Sequence, residues 1–372
     1  MRIIPTLLCH PGMRLGKAIF SEEGQVLVGY HVELTSNMIR KLSQLGVDHL
    51  YIDDPRTDDI IIEDPIHSET RRMLTESLGK IFTRFSPMTA MSTGPTQAST
   101  MSKLFLEGMS RVIDDLAGLK HDAVMLDALN LVPPTSMEQH FTQNAVNVCL
   151  YATKLAMTEG GFNRDELMTI GLGALLHDVG SVQIPLQILQ KNTSLTPNEY
   201  MEIQKHSEFG YQMLKDEIGI PLISAHCALQ HHERMDGSGY PYGLKGEEIH
   251  PYARWIGILD SYDAMIHPRA YRDAMCPSEA IEVLYANAGK LYDIDKVRLF
   301  RNNVAIFPLG LSVSLSTGEK GIVSRLNSNC MQRPVVRVLR NSIGEDLKQP
   351  YEVDLSRMLH VMISEIGEQL AI

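Results

Sequence analysis

The chain has 372 residues, too many for one ordinary core, so two or three domains are expected. Its 44% hydrophobic and 21% charged content is globular. A net charge of −11 argues against a general nucleic-acid binder and still allows a small anionic ligand in a locally positive pocket. Cys9, Cys149, Cys227, Cys276 and Cys330 are scattered, odd in number and never paired as CxxC. They indicate neither a disulfide framework nor a thiolate zinc site, and they point to a reducing compartment. The opening MRIIPTLLCHPGMRLG is broken by Pro5, and no apolar run reaches membrane-spanning length. The expectation is a cytoplasmic protein with no membrane, DNA or RNA partner.

Residues 1–63 read as a small α/β or β-rich domain. Val26, Val28 and Tyr30 alternate like a strand. Met38, Ile39, Leu42 and Leu45 have helical spacing, with Gly46 as a stop, and Leu50–Ile52 reads as a second strand. Residues 64–135 read as a helical linker region. It is interrupted at Ser86–Ser102, a small, polar stretch carrying Pro87, Gly94 and Pro95, before Phe105, Met109, Val112 and Leu116 resume a helical face.

From residue 136 to 305 the pattern is helical. One helix carries His140, Asn144 and Val148 on a face. Arg164–His177 forms an apolar helix delivering His177 and Asp178. A capping box at Thr196–Glu199 starts a helix expected to carry His206. Pro221 opens a helix ending at His231–His232, and Ala253–Ala264 carries Asp260. After Phe307 the pattern alternates, with Thr317–Gly321 as a hairpin turn, giving a small β unit over 306–372. Leu355, Met358, Leu359, Met362 and Ile366 have the spacing of a closing amphipathic helix.

The polar residues concentrate in HDVG at His177–Gly180, in His206, in HHERMDGSGYP at His231–Pro241, and in DSYDAM at Asp260–Met265. Nitrogen and carboxylate donors together suit iron, manganese or zinc better than calcium or magnesium. A carboxylate beside a histidine can bridge two ions, and such a pair can hold a bridging hydroxide and polarise a phosphoryl oxygen. No P-loop, GxSxG elbow or cysteine nucleophile competes. Glu233 reads as a support for the ligands and Asp236 as the turn former before Gly237.

These motifs, in this order over about residues 136–300, resemble the HD-GYP subgroup of the HD phosphohydrolase superfamily. The resemblance implies a mainly α, multidomain chain with an all-helical HD-type metal-binding domain. It implies hydrolysis of the bacterial second messenger cyclic di-GMP to pGpG, or further to GMP, at two divalent ions, often iron. By resemblance the ligands are His177, Asp178, His206, His231, His232 and Asp260, with Asp178 bridging and catalytic. Tyr240 and Pro241 are similar to the family's lip beside the site. Arg269 and Arg272 in PRAYRDA match a segment that holds phosphate or guanine. The helical domain also offers a surface for a homodimer.

Two positions depart from the family pattern. Position 181 is serine where the family has a lysine expected to contact substrate phosphate. Asn144 aligns with a family histidine, and asparagine is a poor ligand for iron or zinc. The first ion would then keep His177, Asp178 and Asp260 and bind more weakly, unless His140, one turn earlier, substitutes. The alternative function is a catalytically weak cyclic di-GMP receptor or signalling module.

Overall fold

A computed structural model describes residues 1–20, 26–47, 49–85, 95–119, 137–191, 193–267 and 274–366. The chain divides into two compact units, one built from both terminal segments and the other from the helical middle.

The first unit begins with strand β1 (Arg2–Pro5), β2 (Ile19–Phe20), β3 (Val26–Val28), helix α1 (Ser36–Gln44) and β4 (His49–Ile52). Thr35 caps α1 through its side chain, and Gly46 follows it at φ +77°. The β3 strand stops short of Tyr30, which lies in the turn before His31. The sequence-distant strands β5 (Ser312–Leu315), β6 (Lys320–Arg325), β7 (Val335–Arg340), β8 (Asp346–Asp354) and β9 (Ile363–Ile366) form one antiparallel sheet in the order β8-β7-β6-β5-β9.

The β1–β4 ribbon explains why these segments belong together. β1 pairs antiparallel with β4, and alternate side chains of a strand leave opposite faces. Ile3 and Tyr51 enter a core with Leu311, Val323, Val336 and Val353 of the five-stranded sheet. Their neighbours Ile4 and Leu50 enter a second core with Leu15, Ile19, Leu34 and Leu42. The expected separate modules at 1–63 and 306–372 thus contribute to one shared core.

The expected closing helix is absent, because Leu355–Ile366 leaves β8 through a turn and returns as β9 against β5. The helical spacing there does not mark one buried face: Leu355 is buried while Met358, Leu359 and Met362 are exposed. Arg333 donates to the carbonyls of Leu355, Met358 and Val361, which a helix would have turned to its own N–H groups.

The second unit is mostly helical, and its described helices are α2 (Ser68–Phe85), α3 (Pro95–Gly118), α4 (Met137–Glu159), α5 (Arg164–Leu175), α6 (Leu186–Leu189), α7 (Pro197–Gln204), α8 (His206–Leu214), α9 (Leu222–Gln230), α10 (Pro251–Ile266), α11 (Pro277–Ala286) and α12 (Ile294–Asn303). The expected loop at 86–102 is too long. Pro95 opens α3, a position where the missing N–H costs nothing, and only 86–94 lies outside the described residues. His206 is the first residue of α8, beyond a break at Lys205, and not a residue of the helix begun at the Thr196 capping box. Among the described residues no helix is long and apolar enough to cross a membrane. All five cysteines are free.

A candidate metal centre at the helix ends

Each histidine of the motif stands where a helix has just ended or begins. Asn163 caps α5 with a complete capping box, fixing the helix whose far end leads into His177 and Asp178. His231 and His232 follow the last residue of α9, His206 opens α8, and Asp260 sits inside α10. Two glycines let these elements close. A Cβ on Gly180 would lie 2.0 Å from the His206 carbonyl oxygen, and one on Gly257 would lie 2.4 Å from that of His231. No side chain fits at either backbone crossing.

The rings are aimed by one repeated device. Nδ1 of His177 lies 2.7 Å from the carbonyl of Ala174, that of His206 2.6 Å from Ile203, and that of His231 2.9 Å from Ala228. A carbonyl can only accept, so each Nδ1 donates, and the neutral ring presents its Nε2 lone pair inward. The inward atoms crowd together. His206 Nε2 is 3.3 Å from His231 Nε2 and 3.2 Å from Asp178 Oδ1, and His231 Nε2 is 3.9 Å from the same oxygen. One donor atom from each of Asp178, His206, His231 and His232 lies within 4.8 Å of all the others. Lone pairs and a carboxylate held this close repel one another unless a cation lies among them, so the donor set fits a divalent metal ion.

The electrostatics agree with that fit. Burial, reinforced by His177 and His206, pushes His231 down to about 3, and His232 likewise falls well below the usual histidine range. Both stay neutral, the form that binds metal. Burial pushes the Asp178 carboxyl up, but His206, His177 and His231 more than offset it, and the group sits below the ordinary carboxylate range.

His177 and Asp260 form an adjoining half. His177 Nε2 is 3.6 Å from Asp260 Oδ1, an ion-pair distance and not a hydrogen bond, and among the described residues this fully buried nitrogen has no hydrogen-bond partner. Burial lowers His177, but Asp260 and Asp178 more than offset it and raise it to about 9, so with no cation beside it this ring holds a proton on Nε2, the proton that a bound metal ion would replace. His140 is not in the four-residue donor group.

The ring of Tyr240 stacks on His232, and the exposed Tyr200 meets Tyr240 edge-on. Pro241 follows through a cis peptide. Arg269 and Arg272 lie outside the described residues. Glu233 holds a loop and, among the described residues, not a histidine. Its buried carboxylate accepts from the N–H groups of Tyr242 and Leu244 and closes the loop that carries Tyr240. Asp236 accepts from Ser238 N ahead of a Gly237 at φ +82°, the expected turn.

Sequence reasoning missed one arrangement. Asp263, buried, accepts from Asn147 Nδ2 at 2.9 Å and Asn144 Nδ2 at 2.9 Å. The available signal was spacing: Asn144 and Asn147 share a helix face, as do Asp260 and Asp263.

Residues 130–295 match the family model of the HD domain, and residues 312–369 match that of the KOW domain associated with HD domain. HD domains are metal-dependent, and the donor cluster fits that dependence. The chain belongs to the HD-GYP subgroup of the HD phosphohydrolase superfamily. It is 31% identical over 251 residues, 67% of its length, to a cyclic di-GMP phosphodiesterase of Pseudomonas aeruginosa. It is 39% identical over 36% of its length to the cyclic di-GMP phosphodiesterase response regulator RpfG of Xanthomonas campestris pv. campestris. It is 38% identical over 38% of its length to a cyclic di-GMP phosphodiesterase of Thermotoga maritima. The chain spans 59%, 35% and 39% of the lengths of these three relatives, respectively.

Proposed function

We propose that the helical domain, residues 136–305, hydrolyses cyclic di-GMP to pGpG, or further to GMP, with bound divalent metal. The carrying observation is the convergence of Asp178, His206, His231 and His232 on one point, in a chain whose relatives bear the name cyclic di-GMP phosphodiesterase. His177 and Asp260 extend the ligand set toward a second ion, with Asp178 between the two groups. Iron is the ion that the motif's resemblance favours, and manganese and zinc suit the same donors. Divalent ions bound there supply positive charge to a phosphodiester and make water a better nucleophile.

The chain's own residues do the rest. The three backbone carbonyls hold the imidazoles in the ligand tautomer. Tyr240 and Pro241 form the lip, and the exposed ring of Tyr200 beside Tyr240 offers a face for a base. Arg269 and Arg272 are assigned to phosphate or guanine. Turnover of cyclic di-GMP by protein purified anaerobically, with ferrous or manganous ion added, tests this reading. Asp178→Ala is expected to abolish turnover, and an unchanged rate would refute the role.

A second reading, a cyclic di-GMP receptor with weak catalysis, draws support from two residues. Ser181 stands beside Asp178 in place of a phosphate-contacting lysine, and Asn144 donates where a ligand is expected to accept. Tight binding of the dinucleotide without product in any metal would favour that reading.

A further inference from the structure

The two halves of the centre are not equivalent. The half made by Asp178, His206, His231 and His232 is a compact four-donor set. The half made by His177 and Asp260 carries a competitor. Asn144 Nδ2 lies 3.3 Å from Asp260 Oδ1, the same oxygen that faces His177. The amide orientation follows from its surroundings. Nδ2 faces two carboxylates, and the reverse orientation would set Oδ1 against their oxygens. Asp263 fixes that orientation at 2.9 Å and is itself held by Asn147 and by His267, whose Nδ1 is 3.3 Å from Oδ1.

We propose that Asn144, aimed by Asp263, gates the second half of the centre: one divalent ion binds tightly among Asp178, His206, His231 and His232, and a second reaches His177 and Asp260 only by displacing the Asn144 amide from Asp260. This rests on reading the cluster as a metal centre. It goes further than a missing ligand, because for a variant that has neither ligand nor donor a missing ligand predicts an unchanged second-ion affinity and a competing donor predicts a tighter one. Asn144→Ala removes the N–H groups and adds no ligand. Alanine is also the best residue for the interior of α4.

The experiment titrates the metal-free full chain with Mn2+, reading bound ion by equilibrium dialysis and ion-to-ion coupling by electron paramagnetic resonance. Wild type is expected to bind one ion tightly with an isolated-ion spectrum, and a second much more weakly. In Asn144→Ala the first ion is expected to be unchanged. The second should tighten by about tenfold or more, the strength of a hydrogen bond to a charged group, and give a coupled pair. Retention of the first ion reports an intact centre. If Asn144→Ala loses that ion, the isosteric, donor-free Asn144→Leu decides on the same criterion. Unchanged second-ion affinity, or two equally tight ions in wild type, overturns the gate alone. No bound ion in wild type, with His206→Ala indistinguishable from it, overturns the metal centre and the gate together.

Discussion

Tyr240 lies over His232, with ring centroids 4.6 Å apart and ring planes 28° from parallel. It also meets His206 edge-on at 6.2 Å, so one ring braces two of the proposed ligands. Burial and the nearby Asp178 push the Tyr240 hydroxyl up, so it stays neutral and the ring acts by packing. Tyr240→Phe should keep ion affinity within about twofold. Tyr240→Ala should weaken it by up to about tenfold, the value of an aromatic pair. Calorimetric titration with Mn2+ checks both, and wild-type affinity in the alanine variant removes the bracing role.

Two glycine-to-alanine changes should move stability in opposite directions. At Gly180 the new Cβ would meet the His206 carbonyl oxygen at 2.0 Å and the Gly210 nitrogen at 2.4 Å, both backbone atoms. α8 would have to move away from the turn after His177. Gly180→Ala should cost about 3 kcal/mol or more, at the upper end for overpacking, and lose the ion. A Cβ on Gly79, inside α2, would meet among the described residues only the flexible Glu138 Oε1, at 3.5 Å. Gly79→Ala should stabilise by roughly 0.5–1 kcal/mol through lower chain entropy. Thermal unfolding of the two variants side by side separates a site-specific crossing from a general dislike of alanine.

Ser181 fills the place of an expected lysine, buried, with Oγ 3.3 Å from Asp178 Oδ1. A hydroxyl there cannot neutralise a phosphate. Ser181→Lys should raise turnover of cyclic di-GMP by about one to two decades, the value of a charge-assisted hydrogen bond made in the transition state. The gain should fall in kcat more than in KM. A rate at or below wild type would mean that the missing lysine does not limit this chain.

The candidate ligand side chains could be picked out in the sequence because paired histidines and adjacent carboxylates, in motifs that resemble a known family, have few other uses at that density. Their convergence was not, since it depends on backbone crossings at Gly180 and Gly257 that join residues far apart in the chain. The network through Asp263 was hidden for the same reason, because its amide partners lie 116 and 119 residues away. The stretch from Leu355 to Ile366 misled because sparse apolar residues fit a helical period and a turn-then-strand equally well. Only the pairing with β5 and the reach of Arg333 decide between them. The shared terminal core was invisible for a similar reason. Ile3 and Ile4 are adjacent and equally apolar, so residue type does not tell which core each one meets.

Asp54 ties the first unit together electrostatically and should make its stability pH-dependent. Its carboxylate, 3% exposed, lies 3.1 Å from Arg2 Nε and 2.8 Å from Arg56 NH2. Burial pushes the carboxyl up, but hydrogen bonds from Arg56 and the charges of Arg2 and Arg56 more than offset it, and the group lies below its ordinary value. A carboxyl depressed by folding adds stability above its unfolded value of about 3.9, and that stability is lost as pH falls through the folded value. Asp54→Asn should therefore cost roughly 3–5 kcal/mol at pH 7, the usual cost of breaking a buried pair beside a fully buried Arg2. Urea unfolding of both proteins from pH 7 down to about pH 3 should show the gap narrowing on the acid side. A gap that stays constant across that window would show that Asp54 acts through packing and not through its charge.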